Sequence, residues 1–266
     1  MMTKRVAIII AAAFALGGCT VNEVINADET ELVVANGEKA ESRLLDIGII
    51  EFDAGIPENN NPEKTRIYTE IREAEARYLA YHLKNTMQGT GHWGAVRVLP
   101  SADAFTDVIV NARIKKSDGE FVELEVTVSD TSGREWYEKD YETQTGVSSY
   151  SENRDRRKDP YQKVFNDIAN DIHDHAEQLG ADYVEDLRQI SELKFFGDMS
   201  QQVYGNHLAT DENGIVTISR LPAENDPAVD RLRRIRERDR LVVDMLNEHY
   251  ANFYYGIAIP YHAYRK

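Results

Sequence analysis

Cysteine occurs once in the 266 residues, so no disulfide can form within the chain. Basic residues are also scarce, 31 Lys and Arg against 46 Asp and Glu, for a formal net charge of −15. Sequence-independent binding of nucleic acid depends on Lys and Arg neutralising phosphates, so no nucleic-acid partner is expected. No apolar run reaches the about 20 residues that a bilayer-spanning helix needs, which excludes a polytopic membrane protein. Glycine and proline are modest, 16 and 7, and rule out a collagen-like or low-complexity chain. Walker loops, dinucleotide glycine fingerprints and Gly-x-Ser-x-Gly elbows are all missing. What remains is 42% hydrophobic and 29% charged, a folded composition long enough for one large or two small domains.

The N-terminus is the most specific segment. Lys4 and Arg5 precede an uncharged run from Val6 to Leu16, and small residues follow as Leu16-Gly17-Gly18-Cys19. A basic region, a short apolar region and a small-residue cleavage point make a secretory signal. The plain alternatives are a cleaved signal without lipid or a short buried helix. The Leu-Gly-Gly-Cys run resembles the lipobox of bacterial lipoproteins. That resemblance implies cleavage after Gly18, acylation of Cys19 and attachment to a membrane through the lipid. Thr20, in place of the Asp associated with inner-membrane retention, implies the outer membrane, periplasmic face. Loss of residues 1–18 removes two basic residues and leaves a mature charge of −17.

The fold class expected is α+β. Residues 19–43 are polar and acidic and read as a tether. Leu44 to Phe52 is a buried strand, and Ala95 to Leu99 a second. Residues 107–115, 122–128 and 135–143 alternate apolar and polar side chains, joined by turns at Ser117-Asp118-Gly119 and Ser132-Gly133, and predict a β-meander with one wet face. Asn61-Pro62, Asp159-Pro160 and Asp226-Pro227 each place a capping side chain before a proline suited to the first helical turn. At Asp159, Gln162 completes a capping-box pattern. Residues 44–147 therefore form a β-α-β-β-β-β, sandwich-like module with a mostly antiparallel sheet. A charged linker, 148–159, leads to a mainly helical C-terminal domain, 160–266. That domain should hold helices over 160–179 and 181–193, a small hairpin around Asp211 to Gly214, and a long helix from Pro227. The expected buried stripe of the long helix is Leu232, Ile235, Val242, Leu246 and Phe253.

Within the module, Thr106-Asp107-Val108-Ile109-Val110, Ser117-Asp118-Gly119-Glu120, Val122 to Val128 and Asp130-Thr131-Ser132-Gly133-Arg134-Glu135-Trp136 resemble the α/β module of bacterial envelope lipoproteins. Relatives of that kind include the curli-secretion, Pel and ABC-auxiliary lipoproteins and the N-terminal domain of the Tol translocation protein. The resemblance spans about 100 residues and implies the fold and, more loosely, service to an envelope machine.

Candidate chemistry is sparse, and no catalytic, cofactor or metal residue is expected. His173 and His175 lie two apart, about 200° around a helix, and cannot share an ion. His82 reads as a core histidine, and the glycine-rich run Gly89 to Gly94 as a connecting loop. Six arginines, Arg231, Arg233, Arg234, Arg236, Arg238 and Arg240, crowd two turns of the last helix. Either they form a solvated face paired with local acids, or Arg231, Arg234 and Arg238 dock a partner or a second copy of the chain. Tyr254 and Tyr255 belong to an aromatic tail that either packs inward or meets a partner or sugar polymer. Together these features predict a periplasm-facing, lipid-anchored, non-enzymatic accessory subunit of an envelope assembly or export system. The alternatives are a glycan- or peptidoglycan-acting hydrolase built on two carboxylates, or a polysaccharide-binding module.

Overall fold

A computed structural model describes residues 30–37, 39–101, 105–150 and 159–265. The signal, residues 1–18, and the lipidation position Cys19 lie outside the described residues, as does most of the charged linker. The strands are β1 (Ile47–Ile50), β2 (Val96–Leu99), β3 (Val108–Ser117), β4 (Phe121–Asp130) and β5 (Glu135–Gln144). They form one mixed, mostly antiparallel sheet in the order β2-β1-β3-β4-β5, with β1 parallel to both its neighbours. The helices are α1 (Pro62–Thr65), α2 (Thr69–Thr90), α3 (Gln162–Glu177), α4 (Ala181–Met199), α5 (Gln201–Tyr204) and α6 (Pro227–Tyr264). Two short strands, β6 (Leu208–Thr210) and β7 (Val216–Ile218), pair as the expected hairpin.

Alternation decides which face of the sheet is covered. Val108, Val110, Ala112 and Ile114 of β3, with Val122, Leu124, Val126 and Val128 of β4, are buried. Their neighbours Asn111, Arg113 and Lys115 face solvent. The buried side packs with Tyr78, Leu79, Leu83 and Met87 of α2 and with Val164, Phe165, Ile168 and Ile172 of α3. The helices after the linker therefore share the core of the sheet. A smaller cluster of Leu193, Phe195, Phe196, Tyr204, Val229 and Leu232 joins α4, α5 and the start of α6. At the β4–β5 turn, Asp130 accepts Ser132 N–H at 2.9 Å, Trp136 Nε1 at 2.9 Å and Tyr183 Oη at 2.6 Å, tying the turn to α4.

Local signals were met unevenly. Asn61 caps α1 as its sequence implies, but Arg66 turns left-handed at φ 58° and the long helix restarts at Thr69. Asp226 caps α6 by accepting Ala228 N–H at 2.8 Å. At Asp159 no capping box forms. Gln162 instead reaches His82, Thr86 and Asn166, and Asp159 turns inward. The described part of the expected tether is docked. Leu32 packs on the core, Asn166 and Asn170 of α3 donate to Thr30 O and Glu31 O, and Ala35 N–H reaches Thr90 O at 2.8 Å. Composition reads as linker here because the docking groups on the segment are mostly backbone.

The expected buried stripe of α6 is corrected. Leu232 is buried and Phe253 half-buried, whereas Ile235, Val242 and Leu246 are exposed. The reason is that α6 lies along the open edge of β2, whose unpaired backbone groups need polar partners. Asn247 supplies them, accepting Val98 N–H at 2.8 Å and donating to Val98 O at 3.0 Å. Arg97 and Asp244 pair beside it at 2.6 and 3.2 Å. Asn247→Ala should lower stability by about 1–3 kcal/mol by leaving two backbone groups unpaired, as read by urea denaturation.

Candidate functional site

Each residue advances about 100° around a helix, and this phase divides the six arginines. Arg233, Arg236 and Arg240 turn inward. Arg233 pairs twice with Glu192 of α4 at 2.9 and 3.1 Å. Arg236, buried, donates to Phe105 O at 3.1 Å and to Ser191 Oγ at 2.8 Å. Arg240 reaches Asp46 at 3.1 Å and Glu237 at 3.0 Å. Asp46 and Asp107 directly precede β1 and β3, so this cluster clamps α4 and α6 to the foot of the parallel strands. Asp107 accepts Ser191 Oγ at 2.6 Å and Asp46 N–H at 2.8 Å, and burial pushes its carboxyl above the usual range. Burial, reinforced by Arg240, lowers Arg236.

Arg231, Arg234 and Arg238 turn outward and make no ion pair among the described residues. Further along the same side, Val242, Met245 and Leu246 are 51%, 55% and 41% exposed, with Leu241 beside them at 62%. The stripe 231, 234, 235, 238, 242, 245, 246, 249 and 253 contains three Arg, one His and no carboxylate. In a chain with 46 acidic residues, that is a distinct surface: basic at one end, aliphatic at the other.

The two tail tyrosines part company. Tyr254 packs inward, its ring 4.5 Å from that of Tyr78 and its hydroxyl 2.7 Å from His82 Nδ1. Tyr255 points outward, 65% exposed. They do not form one aromatic patch. His82 also contacts Gln162 Oε1 at 2.9 Å. Burial lowers its pKa, outweighing the pull of Asp159 and Gln162 toward the charged form. The neutral ring is thus favoured in the fold, and its contribution to stability is lost as pH falls below about 6.5, the unfolded value. The thermal midpoint should decline between about pH 6.5 and 5, and less steeply in His82→Gln. His92 and His175, also lowered by burial, keep a residual slope.

His173 and His175 lie against different rings, His92 at 3.7 Å and Trp136 at 4.8 Å. No group of three or more His, Cys, Asp or Glu among the described residues is placed to hold a metal ion. In the cleft between α4 and α6, Asp46, Glu192 and Glu237 are paired with arginine, Glu185 accepts from Gln189 at 3.1 Å, and Asp107 from Ser191. No described helix is long and apolar enough to cross a membrane.

The fold and this surface define a mixed α/β protein with a C-terminal helix that presents one free basic-aliphatic face. No protein-family model, curated protein or solved structure matches the chain.

Proposed function

We propose that the protein is a lipid-anchored lipoprotein of the outer membrane, facing the periplasm, and that it serves as a non-enzymatic accessory subunit of an envelope assembly or export system. The outward face of α6 is its contact surface, and its carboxylate-free stripe is the observation that carries the reading. Aliphatic side chains at the centre of a face with arginine alongside suit a protein interface, whose core is depleted of acids and enriched in Arg. A partner with an apolar groove and an acidic rim is the complement. A second copy fits less well, because a self-paired stripe brings arginine and histidine together with no carboxylate on the stripe to meet them. We read the sheet and its helical cover as the sandwich-like module of the envelope-lipoprotein resemblance. The two-carboxylate hydrolase loses support because the cleft carboxylates are engaged in ion pairs and hydrogen bonds.

Charge reversal tests this. Crosslinking of native membranes should capture envelope proteins with the wild type. The triple variant Arg231→Glu, Arg234→Glu, Arg238→Glu should reduce that capture about tenfold or more, since each lost interfacial charge contact is worth about 1 kcal/mol or more. Its thermal midpoint should stay close to wild type because none of the three pairs within the fold. Equal capture by the wild type and the variant would sink the proposal.

A further inference from the structure

We propose that the pocket floored by His92 and Trp93 binds a small amphiphilic anion, a carboxylate with a short apolar body. This goes beyond the partner-docking reading and uses the opposite end of α2. The loop after α2 is firmly held. Gly91 adopts φ 71°, Thr90 Oγ1 donates to Met87 O at 2.7 Å, and Gly94 N–H reaches Leu45 O at 3.0 Å. It buries both rings, leaving His92 7% and Trp93 6% exposed.

Yet His92 Nδ1, His92 Nε2 and Trp93 Nε1 have no hydrogen-bond partner among the described residues. The other buried orphan nitrogens belong to Arg72, Arg236 and Arg265, whose guanidinium groups are bonded through other nitrogens. His92 and Trp93 alone have every side-chain polar atom unpaired. A buried donor left so is costly, and two adjacent residues share that cost at one pocket.

The pocket measures about 560 Å³ and lies between the docked segment before β1 and helix α3, within the usual range for small ligands. Lys39 and Arg43 stand at it against one carboxylate, Glu177, which already holds Lys39 at 2.6 Å. Burial, with His173 and Lys39 nearby, keeps His92 toward its neutral form, although the backbone of Val33 favours charge. A neutral His92 offers one N–H and Trp93 another, which the two oxygens of a carboxylate accept. Leu45, Leu179 and Val184 supply an apolar wall. The His92 and His173 rings are stacked at 3.7 Å and 20°, which aims their edges side by side rather than at a common ion.

The test is a titration of the full chain carrying Cys19→Ala, labelled with 15N at tryptophan, with sodium octanoate, acetate or phosphate as probes. Trp136 is the internal reference, because its indole N–H is already bonded to Asp130 at 2.9 Å. The Trp93 indole signal, assigned by its loss in Trp93→Phe, should shift saturably with octanoate, at about tenfold lower concentration than with acetate or phosphate. His92→Phe keeps the ring and removes both nitrogens. It should weaken octanoate binding about tenfold and leave the thermal midpoint equal or higher, as expected where buried unpaired polar atoms are removed. No shift, an equal response to all three probes, movement of Trp136 alone, or a several-degree loss in His92→Phe would each overturn the proposal.

Discussion

Arg265→Met should cost the protein about 3–5 kcal/mol of unfolding free energy, the range found when one partner of a buried ion pair is removed. Arg265 donates to both oxygens of Asp159 at 3.1 and 2.8 Å, with both side chains almost completely buried. Its guanidinium also sits 4.3 Å from the Tyr261 ring centre and 4.7 Å from that of Tyr161. Asp159 further accepts Tyr161 N–H at 2.9 Å and the Tyr78 hydroxyl at 3.0 Å. Losing the arginine therefore strands a charge that nothing else neutralises. Asp159→Ala should cost at least as much, because it orphans the donors as well. The double variant should be less destabilised than the sum of the two singles, since neither charge is then left alone. Lys163→Ala, breaking a partly exposed pair with Asp167, should cost less than about 1 kcal/mol. Urea denaturation of the four variants checks the ranking.

The same pair sets an acid limit. Burial alone would raise the Asp159 carboxyl, but Arg265, with His82 and Tyr161 N–H, holds it well below the ordinary range. A carboxyl lowered in the fold gives stability that is complete above its unfolded value, about pH 4, and is lost as pH falls toward the folded one. The loss attributed to His82 comes earlier, so the two steps should separate in a pH series.

The second large effect concerns location. On the proposed reading, Cys19→Ala should move the protein from the membrane pellet to the soluble periplasmic fraction. A doubly or triply acylated terminus holds firmly, whereas a mature chain of charge −17 is repelled by anionic lipid. Cell fractionation with immunodetection measures it, and a Cys19→Ala protein that still pellets quantitatively with membranes would refute the anchor.

What was legible in the sequence follows from where the information sits. Strict alternation in β3 and β4 marks a one-sided sheet, because a pleated strand sends successive side chains to opposite faces. The hairpin turns follow from Gly119 and Gly133, both at φ 89°. At Gly119 a Cβ would come within 2.4 Å of Arg265 O, so the glycine also makes room for the returning end of α6. The reading of α6 failed because apolar periodicity finds helices that cover a sheet face, whereas this one borders a sheet edge and docks with Asn247, Asp244 and Arg240. The partition of the six arginines was available from their 100° phase; what was missing was which side would be occupied. Asp159 looked like a cap because its ion-pair partner lies 106 residues away, beyond any local pattern. His92 and Trp93 carry no motif at all, and only the absence of partners around them marks the pocket.

The contacts that close the sheet join the earliest and latest parts of the chain. Arg240 meets Asp46 across 194 residues, Tyr250 meets Glu51 across 199, and the Tyr261 hydroxyl meets Glu75 across 186. Contacts so distant in sequence make folding slow, because a long loop must be closed before they yield any stability. The edge of β2 thus stays uncapped, and the socket around Asp159 empty, until residues 240–265 have emerged. A chain that leaves the cytoplasm in an extended state would keep its loose, threadable form to the end of its passage, and lock only once its last helix had followed the rest across.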